Sequence, residues 1–453
     1  MRWTRSAGAR RDDRGSAMVI TLMVMSLVLV LSTTVAVLTI DNLRGSLRAQ
    51  QAGSAVNAAD AGVAQAIGYL RSNGVRALNQ CSPDCGSALP WGDDSAPMSV
   101  DVANDGGAGE TYRVWIEKVR AYPDHDPGRY VVHSTGTAGG EARRTVSVQV
   151  DVTATTYPRG IFARSVSGGG NASVTHQSVF STGCVARRDQ IKMIPTEIDL
   201  AYEIPVGVHT SDYITEQNVN STHCTPSEKK LIHDDGPCNT AYPNDQDRLG
   251  ASLASTGCAS VQTSYPQYYN VPALGVVGSR IPDDAALMEL FGFRDEPFTA
   301  DQLDQLRAVA RAQGNYTNTT TPPDWSPDEA HAVMFFDLTG ASVGDTVTLN
   351  SIQGFTSATT CTKSLVVVIE GGNAKLNSNQ DLAAALFLTS RAPNGEVVKA
   401  NGTSDYLGTI YADKINLVGT TNLSLDDCFV NNPSPYLLDF EVGVYHEADR
   451  ALN

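Results

Sequence analysis

From Ala17 to Ile40 the chain reads AMVITLMVMSLVLVLSTTVAVLTI, about 24 residues without a charge. A helix needs ~20 apolar residues to cross a bilayer, so this stretch is long enough. Its polar side chains are Thr21, Ser26, Ser32, Thr33, Thr34 and Thr39. Their hydroxyls can bond back to a carbonyl one turn earlier, which makes them compatible with lipid. Arg2, Arg5, Arg10, Arg11 and Arg14 precede the stretch, against Asp12 and Asp13; Asp41 and Asn42 follow it. The positive-inside bias keeps such an N-terminus in the cytoplasm and sends the remainder outward.

A cleaved secretory signal has a shorter apolar run and a small-x-small cut site. Here the run continues into DNLRGSLRAQQAGSAVNAADAGVAQAIGYLRSNG, with no proline and no turn cluster before Ser72, Asn73 and Gly74. Ala49, Ala52, Ala55, Ala59, Gly62, Ala66 and Leu70 recur near helical spacing. They predict one helix over 16–72 with a small-residue face, about 85 Å long at 1.5 Å per residue. Gly45, Gly53, Gly62 and Gly68 are expected to weaken or bend it. The alternative is a plain signal anchor followed by a loose Ala/Gly linker.

A basic leader ending in Arg14-Gly15, then Ser16-Ala17-Met18 and a long apolar helix, resembles a type IV pilin-like signal. GSAMVITLMVMSLVLV followed by AVNAADAGVAQAIGYL resembles the N-terminal region of PilX-type minor pilins, over roughly residues 1–75 and more weakly to 156. The resemblance implies cleavage after Gly15 by a prepilin peptidase and methylation of Ser16. It also implies other pilin-like subunits, a pilus assembly platform and the cytoplasmic membrane as partners. Major pilins carry a glutamate five residues into the mature chain, which neutralises a neighbour's N-terminal amine; Ile20 stands there in this chain. That departure points to a minor or tip subunit.

The net charge is -16; the leader holds five Arg against two Asp, so the exported part carries about -19. Such a surface repels phosphates and argues against a nucleic-acid partner. All eight cysteines follow the apolar stretch, and an oxidising compartment favours their pairing. Cys81 and Cys85 bracket a Ser-Pro-Asp turn and are expected to pair. Cys224 with Cys238, Cys361 with Cys428, and Cys184 with Cys258 are candidate pairs; spacing does not fix the connectivity.

Residues 75–97 read as a loop. From Met98 to Thr156 the pattern turns to period two, and SVDVA, TYRVWIEKV, GRYVVHSTGTA and RRTVSVQVDVTAT predict four antiparallel strands. Tyr112, Val114, Ile116 and Lys118 share one face, the better candidate for packing on the helix. Tyr157-Pro158-Arg159-Gly160 marks a boundary. Short apolar segments with Gly, Asn, Ser and Thr turns follow it and return from Lys363, suggesting a β-solenoid or sandwich-like domain over 157–453, with a parallel solenoid whose two ends stack together as the favoured form. Between them, about 190–330, lies an insertion with two helices, DDAALMELFGF and TADQLDQLRAVARAQGN. In the second, Thr299 and Gln302 form a capping box, and Leu303, Leu306 and Val309 an apolar stripe that is expected to be core. The fold class expected is therefore α+β, mainly β: a basic leader over 1–15, a transmembrane helix over 16–74, a pilin-like sheet over 75–156, and the β-rich distal domain.

No motif for chemistry stands out. His223, Cys224, His233 and Cys238 match no common zinc spacing. Asp234-Asp235 and the Asn244–Asp247 run lack the glycine and distal glutamate of a calcium loop. Gly168-Gly169-Gly170 opens no helix, and no Gly-x-Ser-x-Gly or His-Glu-x-x-His occurs. No cofactor, metal or catalytic residue is expected. The leading expectation is a non-enzymatic, minor pilin-like structural subunit with a head suited to adhesion. The alternative is a membrane-anchored surface glycan-binding protein or polysaccharide-degrading enzyme.

Overall fold

The computed structural model describes residues 14–75, 78, 91, 97–215 and 268–448, less short loop stretches inside the last two ranges. Helix α1 runs unbroken from Arg14 to Asn73, 60 residues and about 90 Å. Thr21, Thr33, Thr34 and Thr39 donate to the carbonyls of Ala17, Leu29, Val30 and Val35 at 2.7–2.9 Å, so these hydroxyls are satisfied within the helix. The helix passes through its glycines without interruption. It stops at Gly74, whose φ of 72° and N–H to Leu70 carbonyl (2.8 Å) form a left-handed cap.

Against its C-terminal half lies an antiparallel sheet of β1 (Met98–Val102), β2 (Glu110–Arg120), β3 (Gly128–Ala138) and β4 (Ala142–Ala154). Alternation aims Tyr112, Val114, Ile116, Tyr130, Val132, Val146, Val148 and Val150 at Ala59, Val63, Ala66 and Leu70 of α1. Lys118, grouped by its spacing with Tyr112, is exposed; it still pairs in register with Tyr130, and the strand becomes irregular just beyond it, between Lys118 and Arg120. A fifth strand, Leu438–Ala448, pairs antiparallel with β4. The sequence boundary assigned everything from 157 to 453 to the distal domain. The chain instead returns to the first sheet at its end, so the β-rich head is an insertion between β4 and the C-terminal strand.

The head is a stack of parallel strands in three ladders. One contains Val208–Thr210, Val179–Ser181, the first half of Ile161–Gly168, the first half of Ile410–Leu417, Ala385–Thr389, Ser364–Glu370 and His331–Asp337. A second holds Val185–Arg187, the latter halves of 161–168 and 410–417, Glu396–Lys399, Asn373–Leu376 and Thr346–Leu349. The third holds Ile191–Met193, Ala172–Thr175, Thr420–Ser424, Thr403–Leu407 and Leu382–Ala383. Val166, Val174, Val185, Val367, Ala374, Leu386, Ile415 and Leu423 belong to the apolar core between the ladders. The two ends of the segment do stack: Ile161–Gly168 lies on Ile410–Leu417 in parallel register.

Helices α2 (Asp284–Phe291) and α3 (Ala300–Ala312) cover the outer face of the first ladder. Thr299 and Gln302 form the capping box, Leu306 is buried, and Leu303 and Val309 pack partly buried on the same cluster. The first ladder is thus apolar on both sides, which is why HAVMFFD and SLVVVIE read as continuous apolar runs rather than alternating ones. Arg307 of α3 donates to Glu370 at 2.6 Å and lies 5.0 Å over the Phe335 ring, pairing a carboxylate that is only 4 % exposed.

Cys361 and Cys428 are disulfide-bonded, with Cα atoms 4.6 Å apart. The bridge staples residues 67 apart; closing loops of that size contributes about 2–4 kcal/mol. Replacing both with serine is expected to lower the head's stability by that amount, read as a fall in denaturant midpoint that reductant reproduces in the wild type. Cys184 is disulfide-bonded to a cysteine outside the described residues. Cys81, Cys85, Cys224, Cys238 and Cys258 also lie outside them.

Asp199 is fully buried, and burial pushes its carboxyl up to about 6 despite the N–H groups of Ala201 and Tyr202 that it accepts. The folded state therefore holds this proton more tightly than the unfolded one. Its contribution is fully present below about pH 4 and is lost as pH rises through 6, by up to about 3 kcal/mol. Asp199→Asn keeps the acceptor oxygen and is expected to flatten this slope, measured as unfolding free energy between pH 4 and 8.

Candidate functional site

The surface that distinguishes this molecule is α1 itself. Every described side chain from Ala17 to Gln50 is exposed, including Met23 at 71 % and Leu29 at 68 %; burial begins only with the turn at Gln51. From Ala17 to Ile40 the helix is apolar on all sides and covered by none of the described residues, and such a surface needs lipid or other helices around it. The Gly15–Ser16 bond lies in the first turn of this helix, and Ile20 one turn further on. The helix is long and apolar enough to cross a membrane by length and composition.

The rest of α1 is seated by close approach. A Cβ at Gly136 of β3 would fall on the backbone of Ala55 and Ala59, and one at Gly62 on the side chains of Ser134 and Tyr112. Alanines at 55, 58, 59 and 66 keep the helix thin enough to lie there. The seat is pinned by polar contacts: Tyr112 hydroxyl to Gln65, and Tyr445 hydroxyl to Asp60 at 2.8 Å. Desolvation first, and the Asp60 carboxylate second, push the Tyr445 phenol up to about 12, so it stays a donor at neutral pH. At the helix end, His331 of the head reaches the Asn73 carbonyl at 3.1 Å, with its other ring nitrogen 2.8 Å from Ser364 Oγ. Burial holds that imidazole below its usual range. The seat thus fixes the direction in which the stalk leaves the head.

The small-residue row was legible in sequence from Ala52 onward, whereas Ala49 is exposed. Gly136, Tyr445 and His331 were not anticipated. A glycine within a strand gives no sign of which helix it meets, and the other two act across more than 250 residues.

Among the described residues, two groups with chemical potential are engaged structurally. On the outer sheet face, Glu117, His133 and Ser147 form a hydrogen-bonded chain of 3.0 and 2.8 Å, with Trp115 stacked on His133. It has the order of a nucleophile–base–carboxylate relay but lies on a flat strand surface. Ser147 sits in the ladder between its register partners His133 and His446, where a catalytic serine would need a cleft and oxyanion donors around it. Arg164 is held among Asp295, Glu296 and Asp413. Among the described residues no cluster of three or more His, Cys, Asp or Glu is arranged to hold a metal. A small, partly open cavity of about 30 Å³ lies between Tyr122, Arg159, Thr409, Ser434 and Leu437.

No family model matches this chain, and no curated protein matches it. Among solved structures it is similar to the competence-associated pilin ComZ from Thermus thermophilus, at 11% identity over 88% of this chain and 97% of that one, with a TM-score of 0.24. At that score the likeness carries no argument for function.

Proposed function

We propose that this chain is a minor, pilin-like structural subunit of a type IV pilus or related pseudopilus. The observation that supports the reading is α1: one continuous helix whose first half is apolar and uncovered and whose second half is seated on a sheet. Such a rod is anchored in the cytoplasmic membrane first, with its N-terminus inside. It then leaves lipid to bury against other pilin-like helices, where dispersion and small-residue contacts replace lipid contacts. A prepilin peptidase acts between Gly15 and Ser16, and an assembly platform receives the product. Ile20 leaves a neighbouring amine without a carboxylate, which suits a tip or minor position rather than the bulk of a fibre. The solenoid-like head projects from the cell surface, where its role is adhesion rather than catalysis.

The test is Gly15→Leu in the native host. The variant is expected to keep the mobility of the unprocessed chain, matching the wild type in a peptidase-deficient strain, and to vanish from sheared surface filaments. Wild-type mobility and normal incorporation would count against the reading.

A further inference from the structure

The sheet that seats α1 is finished by a strand that arrives only after the whole head. β4 leaves at Ala154 and the last strand enters at Leu438. The two crossing points touch: Thr155 donates its N–H (2.9 Å) and its hydroxyl (3.1 Å) to the Leu437 carbonyl, across 282 residues. A tether of that length gives the last strand little chance of finding β4 while the head is open, because closure entropy grows with the loop.

The head removes that cost by closing on itself. Ile161–Gly168 and Ile410–Leu417 meet in seven register pairs. Across the seam Arg164 bonds Asp413 at 2.7 Å, Ser173 and Thr175 both reach Asn422, and Phe162 stacks on Tyr411 at 4.9 Å. The Ile410 N–H bonds the Gly160 carbonyl at 3.0 Å, a few residues from the exit of β4. Once the seam forms, the return segment starts beside the strand it must join.

We propose that Leu438–Ala448 is a latch: it completes the stalk only when the two ends of the head have met, so a misfolded head leaves the stalk unfinished. Latched, it covers the edge of β4, pairing Phe440 with Val152 and Val442 with Val150, and ties to α1 through Tyr445 and Asp60. The inference is independent of the filament reading, since it concerns the order in which one chain closes.

The test is amide hydrogen exchange on the full chain in detergent. In the wild type under mild denaturant, 438–448 should open at or below the denaturant level that opens the 161–168/410–417 seam; opening above it contradicts the latch. Ile415→Asp, which breaks the seam, should speed exchange at least about tenfold in 142–154 and 438–448 as well as in the seam. Wild-type protection there with an open seam would overturn the proposal. Val442→Pro, which unhooks the latch alone, should deprotect 438–448 while the seam keeps its wild-type exchange. Equal loss in the seam would show a single cooperative unit and no latch.

Discussion

Gly136→Val is expected to unseat α1. A Cβ at this position meets the backbone of Ala55 and Ala59, not the tip of a movable side chain. The helix must lift along its contact with β3, and Ala55, Ala59 and Gly62 lose their close approach together. Overpacking against backbone in a well-filled core is expected to cost about 3 kcal/mol or more, at the upper end for such substitutions. For a unit of this size that corresponds to a fall of about 10 °C or more in the Tm of the stalk. Gly68→Ala is the matched control, because nothing lies within 4 Å of a Cβ there; it should gain up to about 1 kcal/mol from helix propensity. Equal and small effects at both positions would mean that the helix is not seated as described.

Phe387→Ala is the second large effect. Phe387 is fully buried where the first ladder meets its helical cover, with Phe298 at 4.7 Å and Tyr157 at 5.1 Å. Removing the ring leaves a cavity among groups held by two strands and a loop. The expected cost is about 3–5 kcal/mol. It should appear as a lower denaturant midpoint for the head, with early loss of α2 and α3 from their ladder. Phe387→Leu should recover most of it. A loss below about 1 kcal/mol for the alanine variant would show that the helical cover is not part of the folded core.

These two sites mark the limits of what could be read from residues alone. The long helix, β1 to β4 and α3 with its capping box were legible, because each rests on local periodicity or on a cap three residues long. Helix over 16–72 and helix over Arg14–Asn73 differ by a residue or two at each end. The seat was half legible: the row from Ala52 to Leu70 announced a close contact, but nothing near Gly136 announced its partner. The head was legible as short strands whose ends meet, and not as a count of turns. Strands of the first ladder begin at 161, 179 and 208, then at 331, 364, 385 and 410, so no fixed period exists to be found. The C-terminal strand was missed for a different reason. LDFEVGVYHEA carries a bulge between Val442 and Tyr445 that interrupts its alternation, and its partner β4 ends 284 residues earlier. Sheet pairing at that distance is decided by the fold of the inserted head, which no local pattern reports.

The reading of the chain as an anchored rod that later polymerises is tested most directly by mass spectrometry of its N-terminus, on protein recovered separately from membranes and from sheared surface filaments. The account predicts a chain beginning at a methylated Ser16, with residues 17–40 intact, in both fractions. A chain found free in the medium and beginning beyond Ile40 would have lost the uncovered half of α1, and the account would be wrong.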